Sequence, residues 1–213
     1  MIRRLIFDMD GTLADTAKSA IPACVALAKR NGLPVPTSEA VRAAIGIANP
    51  DFYYHLFPTC DRERIAACSW QAERDDAVFV HQLGQRILFP CISDMLDDLK
   101  VLGCELYIAS TGDAEHVDVV LTSGGIKDRF KRIYCGQPEK VSMVRTIIGD
   151  TDKSEWAMVG DRDKDVRAAR ENGIYAIGAG FGYCEPKDWH LYDTVFETPK
   201  ALTEWVRRGL GKD

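Results

Sequence analysis

Asp8 and Asp10 stand two residues apart in Ile6-Phe7-Asp8-Met9-Asp10-Gly11-Thr12-Leu13, behind a short apolar run. A strand repeats its side-chain direction every two residues, so both carboxylates start on the same side. Close carboxylates repel and are costly to bury without compensation. Such a pair asks for a cation, a shared proton or open water. Later apolar runs are followed by Ser110-Thr111-Gly112, by Lys140 on the way into a helix, and by Gly160-Asp161-Arg162-Asp163-Lys164-Asp165. Several carboxylates together suit a hard cation, and Mg²⁺ takes oxygen ligands while keeping waters. The Ser110 hydroxyl and the N–H groups of Thr111 and Gly112 suit phosphate oxygens at a helix N-terminus. Lys140 adds a positive charge, with Lys153 the alternative lysine. A carboxylate that forms an aspartyl-phosphate is established covalent chemistry. Taken singly, each motif has a plainer reading. Asp caps helices and bends chains, Ser caps, Lys is solvated, and Asp161–Asp165 makes a salt-bridged helix start.

Only a sheet brings these segments to one edge. Strands are expected at Ile2–Asp8, Cys104–Ala109, Arg132–Cys135, Trp156–Val159, Ile174–Ile177 and Thr194–Phe196. Helices are expected at Ser93–Leu102, Ala114–Ser123, Val141–Ile148 and Lys164–Glu171, and after Thr198-Pro199. Alternating strands and helices make a parallel sheet covered on both faces. Ligands of such sheets sit outside the carboxyl ends of the strands, which is where the motifs fall. From Asp15 to about Gln85 no strand pattern occurs. Helices are expected at Thr16–Arg30, interrupted by Pro22, from Thr37 as N-cap, and at Asp61–Gln82. The fold class is therefore α/β, a Rossmann-like parallel sheet with an inserted all-helical cap. The core spans 1–14 and 86–213, and the cap 15–85.

The chain has 213 residues, 46% of them hydrophobic and 28% charged, with a formal net charge of −5. It has no broad basic excess, so nucleic acid is not an expected partner. No apolar run suits a signal peptide or a bilayer span, so no membrane partner is expected. Seven cysteines are scattered without a C-x-x-C, which reads as reduced thiols and a cytoplasmic location. The oligomeric state is not legible.

The residues from Asp8 to Leu13, with Ser110, Lys140, Gly160-Asp161 and Asp165, resemble the four motifs of the haloacid dehalogenase superfamily. Asn172-Gly173-Ile174 and the Gly180-Phe181-Gly182-Tyr183 turn are similar to its phosphoglycolate phosphatase-like subgroup. The resemblance implies an enzyme, a Mg²⁺-dependent phosphoric monoester hydrolase acting on a small phosphorylated metabolite. It implies Asp8 as nucleophile and metal ligand. Asp10 is implied as general acid–base, touching the metal through its backbone carbonyl. Ser110, Thr111, Gly112 and Lys140 hold the phosphoryl group, Asp161 binds the metal, and Asp165 orients its waters. Phosphoglycolate is one expected substrate. A β-phosphoglucomutase-like mutase and an inorganic pyrophosphatase are the alternatives; the Ile-Ala-Asn-Pro sequence after Gly46 is unlike the mutases. Non-enzymatic alternatives are a phosphate sensor and a phospho-accepting signalling domain. The insert of roughly 70 residues directly after the first acidic pair argues against a signalling domain. Lys18, Arg42, Asn49, Tyr53, Tyr54 and His55 are candidates to face the site from the cap, although Phe52, Tyr53, Leu56 and Phe57 also suit the cap's own core. His116 is expected to lie solvated on a helix face.

Overall fold

The computed structural model describes residues 1–209 and residue 211. The strands are β1 (Arg4–Phe7), β2 (Glu105–Ala109), β3 (Arg132–Tyr134), β4 (Trp156–Gly160), β5 (Tyr175–Ala179) and β6 (Thr194–Phe196). The α-helices are α1 (Ala17–Asn31), α2 (Ser38–Ala44), α3 (Asp51–Leu56), α4 (Arg62–Leu83), α5 (Ile92–Val101), α6 (Ala114–Ser123), α7 (Lys140–Ile148), α8 (Asp163–Asn172) and α9 (Pro199–Gly209). The strands form one six-stranded sheet in the order β3-β2-β1-β4-β5-β6, and every pairing is parallel.

Strand β1 is central, and its apolar run explains why. Leu5, Ile6 and Phe7 are fully buried, because both faces of the strand are covered. Alternation sends Leu5 and Phe7 into one layer with Leu96, Leu99, Leu106, Val117 and Leu202. Ile6 enters the opposite layer with Val144, Trp156, Met158 and Ala168. The register aligns Phe7 with Ile108 of β2 and Val159 of β4. The residues after these three therefore emerge at one edge. The chain runs outward from β1 through β2 to β3, then returns to β4 on the other side, so the order reverses beside Asp8. Such a switch point opens the crevice that α/β sheets use for ligands.

The insert holds α1 to α4 and builds its own apolar cluster from residues such as Ala23, Leu27, Val41, Phe52, Phe57 and Ile65. Its two connections to the sheet run side by side: Asp15 N–H donates to the Ile87 carbonyl at 2.8 Å and Phe89 N–H to that of Leu13 at 3.0 Å. Pro22 does not interrupt α1, which continues to Asn31. A proline costs a helix one N–H donor, but here Ala20, Ala23, Cys24 and Leu27 bury one face, and tertiary packing carries the helix. Helix α3 has no counterpart in the expected elements, because its six residues are too few for a readable period. The far end of α4 leaves the insert's cluster, and Val80 packs into the sheet's own core. No described helix is long and apolar enough to cross a membrane. All seven cysteines are free thiols.

Candidate active site

Asp8 follows β1 and is 4% exposed. Its Oδ1 accepts from its neighbour Met9 N–H at 2.7 Å and lies 2.6 Å from Lys140 Nζ. Lys140 begins α7, is itself buried, and also donates to Asp165 Oδ1 at 2.7 Å. Lys153 is exposed and precedes β4, at the opposite end of the strands. Asp165 lies in the first turn of α8, where carboxylates are favoured. Its Oδ2 accepts the N–H groups of Asp161 at 3.1 Å and Arg162 at 3.0 Å. A Cβ on Gly160 would sit 2.1 Å from the Asp165 carboxyl carbon, so only glycine ends β4 here. Asp161 Oδ1 accepts from the Thr12 hydroxyl at 2.9 Å. Its Oδ2 is buried with no hydrogen bond. Arg162 Nε lies 3.1 Å from that oxygen and forms an ion pair without hydrogen-bond alignment.

The cluster carries three buried carboxylates against Lys140 and the half-buried Arg162. Burial, opposed by Lys140, leaves the Asp8 carboxyl well above the ordinary range. Burial, with Asp165 adding repulsion, raises Asp161 to about 6. Burial opposes a charge on Lys140, but Asp165 and Asp8 outweigh it and hold the ammonium charged.

Asp10 takes different partners. Its Oδ1 accepts from the Thr16 hydroxyl at 2.6 Å and lies 2.9 Å from His116 Nε2. The other ring nitrogen of His116 lies 3.2 Å from Asp76 Oδ2 on α4. The expected solvated histidine is thus only 22% exposed at its side chain, between two carboxylates. Burial pushes the His116 imidazole down, but the Asp10 and Asp76 charges raise it well above its usual value. Burial pushes Asp10 up, and the His116 charge with two hydrogen bonds brings it below its ordinary value. The same side of the molecule holds Ser110, buried, whose hydroxyl accepts the Gly112 N–H at 3.1 Å. The buried Thr111 hydroxyl donates to the Gly46 carbonyl of the insert at 3.2 Å. A Cβ on Gly112 would lie 3.3 Å from Ser110 Oγ and 3.4 Å from Asp10 Oδ2. The second oxygen of Asp10 therefore faces this loop.

A profile described as haloacid dehalogenase-like hydrolase matches residues 5–179. The chain belongs to that family. This hydrolase is 28% identical over 197 residues to a phosphoglycolate phosphatase of Chromobacterium violaceum, covering 86% of this chain and 87% of that protein. It is 25% identical over 235 residues to a phosphoglycolate phosphatase of Synechococcus elongatus, covering 97% and 100%. A haloacid dehalogenase-like hydrolase of Streptococcus pneumoniae shares its fold with a TM-score of 0.82 at 23% identity, covering 96% of this chain and 98% of that one.

In this family member the donor set fits a divalent cation. Asp8, Asp161 and Asp165 offer oxygens within 4.8 Å of one another. Both oxygens of Asp165 are already engaged, by Lys140 and by two N–H groups. Asp8 and Asp161 Oδ2, which has no hydrogen bond, remain as direct donors. Asp10 lies outside this group of three, with Oδ1 held by Thr16 and His116. All-oxygen ligation suits a hard ion.

A cavity of about 340 Å³ opens between this edge and the insert. Asp10, Thr111, Gly112 and His116 line it from the core, and Ile45, Gly46, Asn49, Phe52, Tyr53 and Asp76 from the insert. Of the expected cap residues, Asn49 and Tyr53 reach it. Lys18, Arg42, Tyr54 and His55 do not line it. The Lys18 ammonium donates to the Arg86 carbonyl, and Arg42 lies over the Tyr183 ring at 4.9 Å. Arg62 lies over the Tyr54 ring at 4.8 Å. Tyr183 itself was read only as part of a glycine turn. Its hydroxyl donates to Asp15 at 2.5 Å and accepts the Ala17 N–H at 3.0 Å, which ties the turn to the start of the insert. A Cβ on Gly182 would sit 2.0 Å from the Gly11 carbonyl, so that close approach requires glycine.

Proposed function

We propose that the protein is a Mg²⁺-dependent phosphatase that hydrolyses a small phosphomonoester through an aspartyl-phosphate on Asp8. The single observation that carries this is the buried Asp161 Oδ2, left without a hydrogen bond on a carboxylate within 4.8 Å of an Asp8 oxygen. A bound Mg²⁺ would be held by Asp8, Asp161 and the Asp10 carbonyl, and would supply charge neutralisation between carboxylate and phosphate. Ser110, the N–H groups of Thr111 and Gly112, and Lys140 hold the phosphoryl group. Asp8 attacks phosphorus as the bond to the leaving oxygen breaks, and Asp10, which the negative charge of a bound phosphate raises enough to carry a proton, gives that oxygen its proton. Water then attacks the same phosphorus, the bond to Asp8 breaks, and the water's proton goes to Asp10. Asp165 keeps Lys140 and the Asp161 loop in place. In this reading 1–14 and 86–213 are the catalytic core and 15–85 the cap. The seven free thiols are consistent with a cytoplasmic setting for this reading.

Two relatives carry the name phosphoglycolate phosphatase, so phosphoglycolate heads the substrate panel. The cavity lining bears on that choice. Glu73, Asp76, Asp113 and Glu115 stand against Arg74 and His116. Burial, together with Asp113 and Glu115, holds the Glu73 carboxyl above its ordinary value. Uncharged and amine-bearing esters of the same size therefore belong beside phosphoglycolate. The test is phosphate release from p-nitrophenyl phosphate with Mg²⁺, with EDTA, and with Asp8→Asn. Activity is expected only in the first; equal rates in all three overturn the reading.

A further inference from the structure

His116 lines the cavity and pairs with a carboxylate on each side of it. It lies near the start of α6, in the core, where Asp113 caps the helix by accepting the His116 N–H at 2.9 Å. Its Nε2 meets Asp10 at 2.9 Å, and its Nδ1 meets Asp76 of the insert at 3.2 Å. A ring with a carboxylate on each nitrogen is held in one orientation, with both nitrogens as donors. Thr16 and His116 together occupy Asp10 Oδ1, which leaves Oδ2 turned toward Ser110 and Gly112. A carboxylate that carries a proton to a leaving oxygen must present one defined oxygen there, and small misplacements cost rate steeply. Nothing in the Asp10 peptide itself selects that rotamer; its partners do. Thr16 opens the insert, and His116 is tied to the insert through Asp76.

We propose that His116 is a positioning residue for Asp10: clamped by Asp76 of the insert, it aims Asp10 Oδ2 at the leaving oxygen and ties that aim to the seating of the cap. This rests on the phosphatase reading above. Asp10 protonates the departing oxygen, so a defect in its aim falls on poor leaving groups and spares good ones. Benzyl phosphate loses an alkoxide that needs the proton, whereas p-nitrophenyl phosphate loses a stable phenolate.

The experiment compares kcat/KM for the two esters, which reports the step that forms the aspartyl-phosphate. His116→Ala is expected to lower the benzyl value about 100-fold, within the range of general acid catalysis, and the p-nitrophenyl value less than about threefold. His116→Gln, which keeps a donor near Nε2, recovers most of the loss. Asp76→Ala gives the same selective loss at roughly tenfold and carries the test if His116→Ala does not fold. Equal losses on both esters, or no benzyl-selective loss in Asp76→Ala, overturn the proposal. So does a wild-type enzyme that cleaves only p-nitrophenyl phosphate, because no acid is then being aimed. A wild-type protein inactive on both esters removes the phosphatase reading instead.

Discussion

Two buried ionic clusters sit side by side at the strand ends, and they are built on different principles. Asp8, Lys140, Asp161 and Asp165 all emerge from the sheet's edge or from helices packed on it. Asp10, Thr16, His116 and Asp76 come from the edge, from the connection into the insert, from α6 and from α4. The first cluster carries excess negative charge and an oxygen without a hydrogen bond, and among the described residues it meets the insert only through Arg162, which donates to the Arg42 carbonyl at 3.1 Å. The second sets Asp10 and Asp76 against His116, and its geometry depends on where the insert lies. In the proposed phosphatase, charge neutralisation is thus anchored to the sheet, and proton transfer is set at a seam between two apolar clusters.

The sharpest test of the first cluster is Asp8→Asn, which removes the attacking oxygen. Activity should fall by about 10³-fold or more, read as phosphate release, while the thermal midpoint holds or rises because a buried charge is gone. Lys140→Met comes next. It leaves Asp8 and Asp165 buried without their shared cation, and about 3–5 kcal/mol should be lost in urea denaturation. A loss within 1 kcal/mol would mean that the carboxylates, not the lysine, set the balance. The seam should respond more mildly and more selectively, through the ester-dependent losses expected of His116 and Asp76.

Metal binding separates the clusters again by pH. Asp161 is raised to about 6, so between the ordinary carboxylate value and that point the folded protein holds more protons than the unfolded one. Stability from this group therefore falls as pH rises through the window, and protons compete with a cation below it. The rise in melting temperature on adding Mg²⁺ should be larger at pH 7.5 than at pH 5; equal rises would place the ion elsewhere. Smallest of all is the exposed pair Arg167–Glu171, 3.0 Å apart one turn along α8. Arg167→Gln, which also removes an exposed contact to Glu139, should leave the urea midpoint essentially unchanged, because exposed pairs contribute little. A larger effect would mean that burial is not what distinguishes the Lys140 cluster.

The sheet was readable because its signals are local. Apolar runs such as Leu5–Phe7 and Trp156–Val159 are short enough to be strands, and Gly103, Asn31-Gly32 and Asn172-Gly173 mark helix ends. The six strands appear where expected, within one or two residues at their ends. Pro22 misled in the other direction, since a local rule predicted a break that buried packing overrides. Helix α3 is too short to announce itself. His116 read as a surface residue because its helix face, taken alone, is polar; its partner Asp10 is 106 residues away. Tyr183 drew notice only for its glycine neighbours, yet its hydroxyl ties the turn to Asp15 and Ala17.

The amino-acid order alone was enough to place Asp8, Ser110, Lys140 and Asp161 at a single edge. Strand ends are encoded locally, and a parallel sheet with helical crossovers returns each of them to the same side. It was not enough to say which oxygen of Asp10 is free, or that Asp76 of the insert holds the histidine beside it. Those contacts arise when α4 docks against α6. Docking is decided by the shapes of two separately packed surfaces, and periodicity along the chain does not encode how such surfaces meet.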